Sequence, residues 1–204
     1  MITIIDNFTP YIAEARASAL ASGFGTWKPN TGEVGSSVYE GMNFWGKHSL
    51  LLHALAHRVG CPVYPNSMFF RVTNETTEGA YVHSDREAGD FTCVVYLSEH
   101  GERTGTGFYR HRETGMTHMP SFAELAQDQA SFGRLKKQMV EGSDEHWELL
   151  DFVHGCFNRA VIFDAPRFHA RSPRHGIAET AEAGRMVWVC HFVTQLAVPN
   201  HGSQ

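Results

Sequence analysis

Hydrophobic residues recur along the chain at two different spacings, and these spacings separate a helical N-terminal part from a β-rich remainder. After a short opening strand at residues 1–6, helical periodicity that stops at glycine or proline predicts helices over residues 13–21 and 49–59. The glycine-rich stretch at residues 27–46 is predicted to be loop. We therefore expect residues 1–64, approximately, to form a mainly helical N-terminal part.

From about residue 65 the pattern changes to short runs of β-branched and aromatic residues that are separated by turn residues. Such runs are typical of strands. We predict strands at residues 67–73, 80–84, 91–97, 105–111, 160–164, 168–171 and 185–193. A block rich in Ala, Glu, Leu, Gln and Lys interrupts them at about residues 116–150 and predicts a helical insertion. At its C-terminal end, residues 147–154 are ambiguous between helix and strand.

The order of these elements favours a mainly β domain with flanking helices. Helices followed by many short strands suggest a β-sandwich or barrel, here with its β core at about residues 65–198, packed on the N-terminal helices. The length of 204 residues suits a single domain with a substantial core, and no repeat or linker divides the chain.

Composition and charge restrict the function. With 42% hydrophobic and 19% charged residues, the chain resembles an ordinary soluble protein. A formal net charge of −5 argues against nucleic acid as the partner. We expect no membrane association and a cytoplasmic location, because no apolar run could span a bilayer and the start of the chain lacks a signal-peptide pattern. The four widely spaced cysteines fit reduced, buried thiols.

The chain contains 13 histidines, which favours metal binding, and one short motif is the candidate for two of the ligands. His83 and Asp85 are two residues apart, so on an extended strand their side chains point to the same face. A second histidine from a distant strand would complete a two-histidine, one-carboxylate triad, which suits Fe(II) or Mn(II). The motif alone is weakly specific, and a polar pair on a solvated loop is the alternative.

Three histidines are candidates for the third ligand. His169 is favoured because the strand at residues 160–164 and the turn after it would deliver the side chain to a strand start. His175, in a Pro-Arg-His-Gly loop, is the second choice, and His191 lies inside the last strand. Arg185 directly precedes the apolar run Met-Val-Trp-Val and, if it points inward, suits a carboxylate clamp; an exposed strand-end arginine is the alternative.

Taken together, His83-x-Asp85, His169 and Arg185, sixteen positions after His169, resemble the His-x-Asp…His…Arg pattern of the Fe(II)/2-oxoglutarate-dependent oxygenases. The resemblance is closest to the prolyl-4-hydroxylase-like branch, and three further segments support it: residues 91–98, 105–109 and 158–163. It covers about residues 67–193, interrupted by the insertion. It implies a double-stranded β-helix, or jelly-roll, with the iron at its mouth.

The resemblance also implies an activity and a set of site residues. His83, Asp85 and His169 would hold Fe(II), while Arg185 and Tyr96 would hold the 5-carboxylate of the co-substrate 2-oxoglutarate. With dioxygen as the second co-substrate, the enzyme would be a dioxygenase that hydroxylates an unactivated C–H bond. The carboxylate at position 85 argues against a halogenase.

Two departures from the family pattern leave alternatives open. The position two residues beyond the arginine, Ser or Thr in many relatives, is Val187, and the interval between His169 and the arginine is long. Arg171 and Arg174 are therefore alternatives to Arg185. The competing function classes are a cupin-type metalloprotein with chemistry that does not use 2-oxoglutarate, and a non-catalytic jelly-roll binding protein.

The sequence says less about the substrate. A small molecule is slightly favoured over a protein side chain, because the short chain shows no evident peptide-binding domain. Arg71 on the strand at residues 67–73 is a candidate contact for an anionic group, with a surface arginine as the alternative. The segment at residues 27–45 is a lid or a structural loop.

Overall fold

Two antiparallel sheets form the β core of the computed structural model, which describes residues 1–27, 39–73, 81–99, 104–141, 143–174 and 180–194. The strands in these ranges are β1 Ile2–Ile5, β2 Gly25–Trp27, β3 Tyr39–Asn43, β4 Tyr64–Thr73, β5 Phe91–Tyr96, β6 Gly105–His111, β7 Trp147–His154, β8 Ala160–Asp164, β9 His169–Ser172 and β10 Arg185–Val193. The helices are α1 Ile12–Ser22, α2 His48–Val59, α3 Phe122–Gln127 and α4 Gln129–Glu141. Among the described residues, no helix is both long and apolar enough to cross a membrane.

The larger sheet has seven strands in the order β1-β8-β5-β10-β4-β3-β2, and the smaller has the order β7-β6-β9. β10 lies between β5 and β4, so that Val187 is opposite Tyr96 on one side and Arg71 on the other. In the smaller sheet, β9 pairs with β6 and places Arg171 opposite Thr106.

Strand alternation divides β10 between two environments. Met186, Trp188, Cys190 and Phe192 belong to the hydrophobic core that α1 and α2 form on one face of the large sheet. The residues between them point to the opposite face, toward the smaller sheet, because successive side chains of a strand alternate. Both faces are covered, which explains why this strand is hydrophobic without a strict polar alternation.

Two further clusters hold the sheets and the insertion in place. One lies between the sheets and joins β5, β8 and β10 to β6 and β7; its buried members are Val94, Tyr96, Phe108, Val153, Val161, Phe163 and Val187. The other packs Leu135 of α4 against Trp147, Phe168 and Ala170. The helical insertion therefore lies against the smaller sheet.

The structure confirms the mainly β class with flanking helices, and it corrects several elements. The predicted loop at residues 27–46 contains β3, and β2 precedes it, because both add to the edge of the large sheet beyond β4. The segment predicted as a strand at residues 80–84 makes only an isolated bridge at His83, within the residues described there. The ambiguous segment Trp147–His154 is a strand, so the helical part of the insertion ends before it.

Candidate metal centre

A cavity of about 570 Å³ opens between the two sheets. The side chains that line it come from the inward faces of β3, β4, β5, β6, β9 and β10 and from the segment around residue 85. Its polar lining residues include His83, Asp85, His169, His191, Arg71, Arg171 and Arg185. The cavity therefore contains every triad residue favoured from the sequence, together with the proposed arginine.

The structure brings the predicted triad together. One ligand atom from each of His83, Asp85 and His169 lies within 4.8 Å of the other two. The Nε2 atom of His83 is 3.6 Å from Oδ1 of Asp85, and the Nε2 atom of His169 is 3.3 Å from Oδ2. The side chain of His83 is 50% exposed and that of His169 only 7%, so the cluster is open to solvent on the His83 side.

Backbone pairing explains why residues so distant in sequence meet. The amide N–H of His83 donates to the carbonyl of His169, and the N–H of His169 donates to the carbonyl of His83, both at 2.9 Å. This reciprocal pair of hydrogen bonds brings the imidazole rings together, with their centroids 4.3 Å apart. Asp85 lies two residues after His83, and its carboxylate is on the same side as the two rings. The amide N–H of Asp85 donates to the carbonyl of Ala165 at 2.9 Å and fixes the backbone there.

Hydrogen bonds on the far side of each ring set the tautomer of both histidines. Nδ1 of His83 lies 2.9 Å from the carbonyl of Tyr81, and Nδ1 of His169 lies 2.9 Å from the carbonyl of Arg167. A carbonyl can only accept, so each Nδ1 carries the proton and donates it. In the neutral rings, Nε2 then keeps a free lone pair directed at Asp85, as a metal ligand requires.

Asp85 has two further partners besides the triad histidines. The Thr92 hydroxyl donates to Oδ2 at 2.9 Å, and Nε2 of His191 lies 3.3 Å from the same oxygen. Nδ1 of His191 is in turn 2.6 Å from the hydroxyl of Ser67. His191, which the sequence offered only as a third-ligand candidate, therefore stands behind the carboxylate and outside the compact triad.

The pKa shifts in the cluster follow from burial and mutual charge. Desolvation, reinforced by repulsion from His169, lowers the pKa of His83 and favours the neutral ring. Burial opposes ionisation of Asp85, but attraction to His169 and hydrogen bonds with His169 and His191 hold its pKa well below the usual range. Burial of His169 disfavours its charged form, yet attraction to Asp85 outweighs this and raises its pKa. Asp85 is therefore a carboxylate, suited to a cation.

Arg185 points into the same cavity and is only 4% exposed. Its Nη2 donates to the carbonyl of Gly105 at 3.2 Å, and its guanidinium lies 5.6 Å from the ring centroid of Tyr96. Nε is buried and has no hydrogen-bond partner in the described structure. Burial lowers the pKa of this arginine, and the cavity offers it room for an anion.

Tyr96 is the other residue that the family resemblance predicts to hold the co-substrate, and it lies between the sheets next to Arg185. Its side chain is 1% exposed in the cluster between the sheets, and it is not among the described residues that line the cavity. Its hydroxyl lies 2.7 Å from the Thr106 hydroxyl, and Thr106 does line the cavity. Tyr96 therefore contacts both Arg185 and Thr106, and its role in holding the co-substrate stays a prediction.

Of the alternative site residues, one reaches the cavity. Arg171 lines it, and burial together with repulsion from Arg71 and Arg185 lowers the pKa of Arg171 to about 9. Arg174 instead pairs with Asp144 at 2.5 Å and is absent from the described lining. His175, the second choice for the third ligand, lies outside the described residues.

Aromatic side chains form the opposite wall of the cavity. Ring centroids are 5.8 Å apart between Trp27 and Phe44, 6.1 Å between Phe44 and Phe69, and 5.9 Å between Phe69 and His191. Trp27 is 40% and Phe44 37% exposed, so the row runs from the cavity mouth to the histidine behind Asp85. Sequence reasoning missed this wall because β2 and β3 were predicted as loop.

Several solved structures share the fold of this chain. The chain is similar to the non-heme alpha ketoglutarate dependent carbocyclase SnoK from nogalamycin biosynthesis, with a TM-score of 0.53, 18% identity and coverage of 94% of this chain and 78% of the other. For AviO1 from Streptomyces viridochromogenes Tue57 the TM-score is 0.51 and the identity 18%, with coverage of 94% of this chain and 87% of the other. For iron-bound HygX from Streptomyces hygroscopicus the TM-score is 0.51 and the identity 10%, with coverage of 93% of this chain and 80% of the other. These likenesses confirm the predicted jelly-roll.

The sequence itself places the chain in a family. A family profile described as "Family of unknown function (DUF6445)" matches residues 78–192, more than half of the chain, and the protein belongs to this family. The matched range contains the triad, Arg171, Arg185 and His191. No curated protein matches.

Proposed function

We propose that this protein is an oxygenase that depends on Fe(II) and 2-oxoglutarate and uses dioxygen as its second co-substrate. The observation that carries the proposal is the triad His83, Asp85 and His169, with both Nε2 lone pairs turned inward, in one cavity with the buried cation of Arg185. Two proteins that share the fold support it, since one is described as alpha ketoglutarate dependent and another has iron bound.

The donor set fits iron. Two neutral imidazoles and one carboxylate form the facial arrangement that non-haem Fe(II) oxygenases use, and Asp85 offsets part of the metal charge. When bound, the iron and 2-oxoglutarate supply the oxidising chemistry, in which 2-oxoglutarate is decarboxylated to succinate and a substrate C–H bond is oxidised. The carbonyls of Tyr81 and Arg167 hold the Nδ1 protons of the two rings, so that Nε2 is the nitrogen each neutral ring offers to a metal.

Arg185 is proposed to hold the distal carboxylate of 2-oxoglutarate. Its guanidinium is fixed by Gly105 and Tyr96, and its Nε has no partner within the described ranges. In a site removed from water, such a charge-assisted hydrogen bond is stronger than at the surface. Val94, Val187 and Val189 line the cavity around it and help to exclude water.

The same residues support a proposal for the type of reaction, the branch of the superfamily and the kind of substrate. Asp85 occupies the carboxylate position, which favours hydroxylation over halogenation, and the order of motifs favours the prolyl-4-hydroxylase-like branch. A cavity of about 570 Å³ is in the range typical of small-molecule sites, so we favour a small molecule over a protein side chain as substrate. A cytoplasmic location is proposed because all four cysteines are unpaired.

The proposal is tested by anaerobic titration of the Fe(II)-loaded protein with 2-oxoglutarate, observing the weak visible charge-transfer band of the chelate. We expect the band in the native protein and its loss in Asp85→Ala. Arg185→Gln should raise the 2-oxoglutarate concentration needed for half-saturation at least tenfold, about 1.4 kcal/mol, because a charge-assisted bond is removed. Arg110→Gln is the matched control, since Arg110 pairs with Glu148 at the surface.

Each other result points to a different class. A band that persists unchanged in Asp85→Ala rejects the triad. Iron binding without a band in the native protein favours the cupin-type metalloprotein, and a folded protein that binds no iron favours the non-catalytic jelly-roll.

A further inference from the structure

We propose that the substrate of this cavity carries an uncharged aromatic ring, and that this ring packs on the side chains of Phe69 and Phe44 next to the metal ligands. The inference rests on the proposed function, because it assigns a binding group to the part of the cavity beside the positions proposed for iron and 2-oxoglutarate. The residues that carry it are apolar, so it does not depend on the charges in the cavity.

Strand register places an apolar row of side chains across the wall of the cavity that the large sheet forms. Val94 of β5 is opposite Val189 of β10, and Val189 is opposite Phe69 of β4. Phe44 follows directly after β3, and its ring centroid is 6.1 Å from that of Phe69. These four side chains line the cavity, since directly paired residues share a face of the sheet. The ring of Trp27, 5.8 Å from that of Phe44, extends the row.

The neighbouring row on the same face is polar and contacts the carboxylate of the triad. Thr92 is opposite His191, and both lie near Oδ2 of Asp85, at 2.9 and 3.3 Å. The polar and apolar rows are two residues apart along their strands, a distance of about 7 Å. The ring centroid of Phe69 is 5.9 Å from that of His191. A ring bound on Phe69 therefore lies beside the metal ligands.

Space for this ring lies to one side of the proposed co-substrate. The groups proposed to hold 2-oxoglutarate are aligned along β10, where His191 contacts Asp85 at one end and Arg185 begins the strand at the other. Phe69 lies on the next strand, β4, and Phe44 lies beyond it. 2-Oxoglutarate is small compared with a cavity of about 570 Å³. Phe44 is 37% exposed, so the apolar row opens to solvent at the end where a substrate can enter.

The chemistry of the apolar row favours an aromatic ring over a sugar or an aliphatic chain. A sugar can stack on aromatic faces, but its hydroxyl groups need hydrogen-bond partners once water is removed, and valine and phenylalanine side chains offer none. Aromatic rings attract each other in tilted arrangements, a gain that an aliphatic group does not make. The planes of Phe44 and Phe69 are already inclined by 60°, and those of Phe69 and His191 by 55°. A substrate ring can join the same arrangement.

The experiment measures by calorimetry how three neutral probes bind to protein loaded with Zn(II) and 2-oxoglutarate, so that no turnover occurs. The probes are naphthalen-2-ylmethanol, its saturated counterpart decahydronaphthalen-2-ylmethanol, and methyl β-glucopyranoside. Burial alone favours the saturated alcohol, because it has the larger apolar surface. We expect the aromatic alcohol to bind about threefold more tightly than the saturated one, or better, because of its ring contacts, and the glucoside to bind most weakly.

Variants of the apolar row locate the binding. Phe44→Ala should weaken binding of naphthalen-2-ylmethanol about fivefold or more, because one ring is removed. Phe157→Ala is the matched control, since Phe157 is 38% exposed but is not among the described residues that line the cavity. Phe69→Leu, which keeps apolar volume but removes the ring, should reduce the preference for the aromatic alcohol. Both cavity variants should keep the native 2-oxoglutarate affinity, which shows that the cavity is folded.

A paramagnetic metal tests whether the bound ring lies beside the ligands. With Mn(II) in place of Zn(II), the proton NMR signals of naphthalen-2-ylmethanol should broaden in the presence of the native protein. His169→Ala, which lacks a proposed ligand, should show much less broadening at the same Mn(II) concentration. Equal broadening in the two proteins would place the ring away from the triad and overturn the proposal.

Equal or tighter binding of the saturated alcohol overturns the aromatic class, and tighter binding of the glucoside overturns it in favour of a sugar. No binding of any probe, or an equal effect of Phe44→Ala and Phe157→Ala, also overturns it. If the native protein binds neither metal nor 2-oxoglutarate, the proposed function fails, and the same titrations on metal-free protein still decide whether the apolar row selects an aromatic ring.

Discussion

At the residue scale, the most informative feature is the environment of one carboxylate. Asp85 contacts three histidines and a threonine, yet the compact ligand group contains only two of those histidines. His191 differs because Ser67 lies at its Nδ1, so that a hydroxyl donating there leaves the Nε2 proton for Asp85. We therefore interpret His191 as the residue that orients the carboxylate.

This interpretation predicts the effect of His191→Phe, which retains a ring against Phe69 but removes the donor to Asp85. Partners that orient metal ligands typically contribute a factor of about 10–100 to metal affinity. We expect Mn(II) affinity, measured by calorimetry, to fall by about that factor. His53→Phe on the exposed face of α2 is the control. An unchanged affinity would make His191 merely structural, and a loss as complete as in His169→Ala would make it a ligand.

At the element scale, β10 does most to connect core and site. Its even-numbered residues bind it to α1 and α2, and its odd-numbered residues contribute Arg185, Val187, Val189 and His191 to the cavity. A slip of one residue would exchange these faces, so the hydrophobic core fixes the register that positions the site.

The same register predicts cysteine reactivity. Cys93 and Cys190 are opposite each other on β5 and β10 and fully buried, whereas Cys61 and Cys156 are partly exposed. Burial raises the pKa of Cys93 well above the usual value and that of Cys190 to about 12, so both stay protonated at pH 8. Iodoacetamide followed by mass spectrometry should label at most two cysteines in the native protein and four in urea. Rapid native labelling of Cys93 would contradict the register.

A pair of glycines tests the packing of β6. A Cβ at Gly105 would lie 2.4 Å from both Cζ of Phe152 and the carbonyl oxygen of Val153, and the backbone carbonyl has little freedom to move away. We expect Gly105→Ala to lower the free energy of unfolding by about 1–3 kcal/mol in urea titrations. Gly133→Ala in α4 meets nothing within 4 Å and should raise it by up to about 1 kcal/mol. Equal effects of the two substitutions would contradict this account.

At the scale of the whole molecule, the site joins parts of the chain that are far apart. The cavity draws on β3 to β5 from the first half and on β9 and β10 from the second, while α1 and α2 cover the outer face of the large sheet. Metal binding therefore favours the assembled fold over the unfolded chain, which holds no preformed site.

This linkage predicts a metal-dependent melting temperature. At a metal concentration one hundred times Kd, binding raises the free energy of unfolding by about 2.7 kcal/mol. For a chain of this size that gain corresponds to an increase of about 5–10 °C in Tm. Scanning fluorimetry with Mn(II) should show it, EDTA should reverse it, and Asp85→Ala should lack it. A shift of equal size in Asp85→Ala would place the metal elsewhere.

What the sequence by itself determined was most of the strands of the β core and the residue types of the site. The strands at residues 105–111, 160–164 and 185–193 were predicted with the bounds observed, because their β-branched and aromatic runs are long and end at turn residues. The His-x-Asp motif was readable because its two ligands are local in sequence. The structure brings His169 to that motif; its role as ligand stays a prediction.

Only the tertiary structure decided which residues share the cavity. β2 and β3 escaped prediction because pairing at the sheet edge, of β3 with β4 and of β2 with β3, makes them strands, and local preference does not. The support of Arg185 by Gly105 and Tyr96, the place of His191 behind Asp85 and the convergence of three arginines all depend on register between distant strands. The physical reason is that strand pairing is non-local: a sequence specifies which face a residue takes along its own strand, but packing of the sheets specifies what lies opposite.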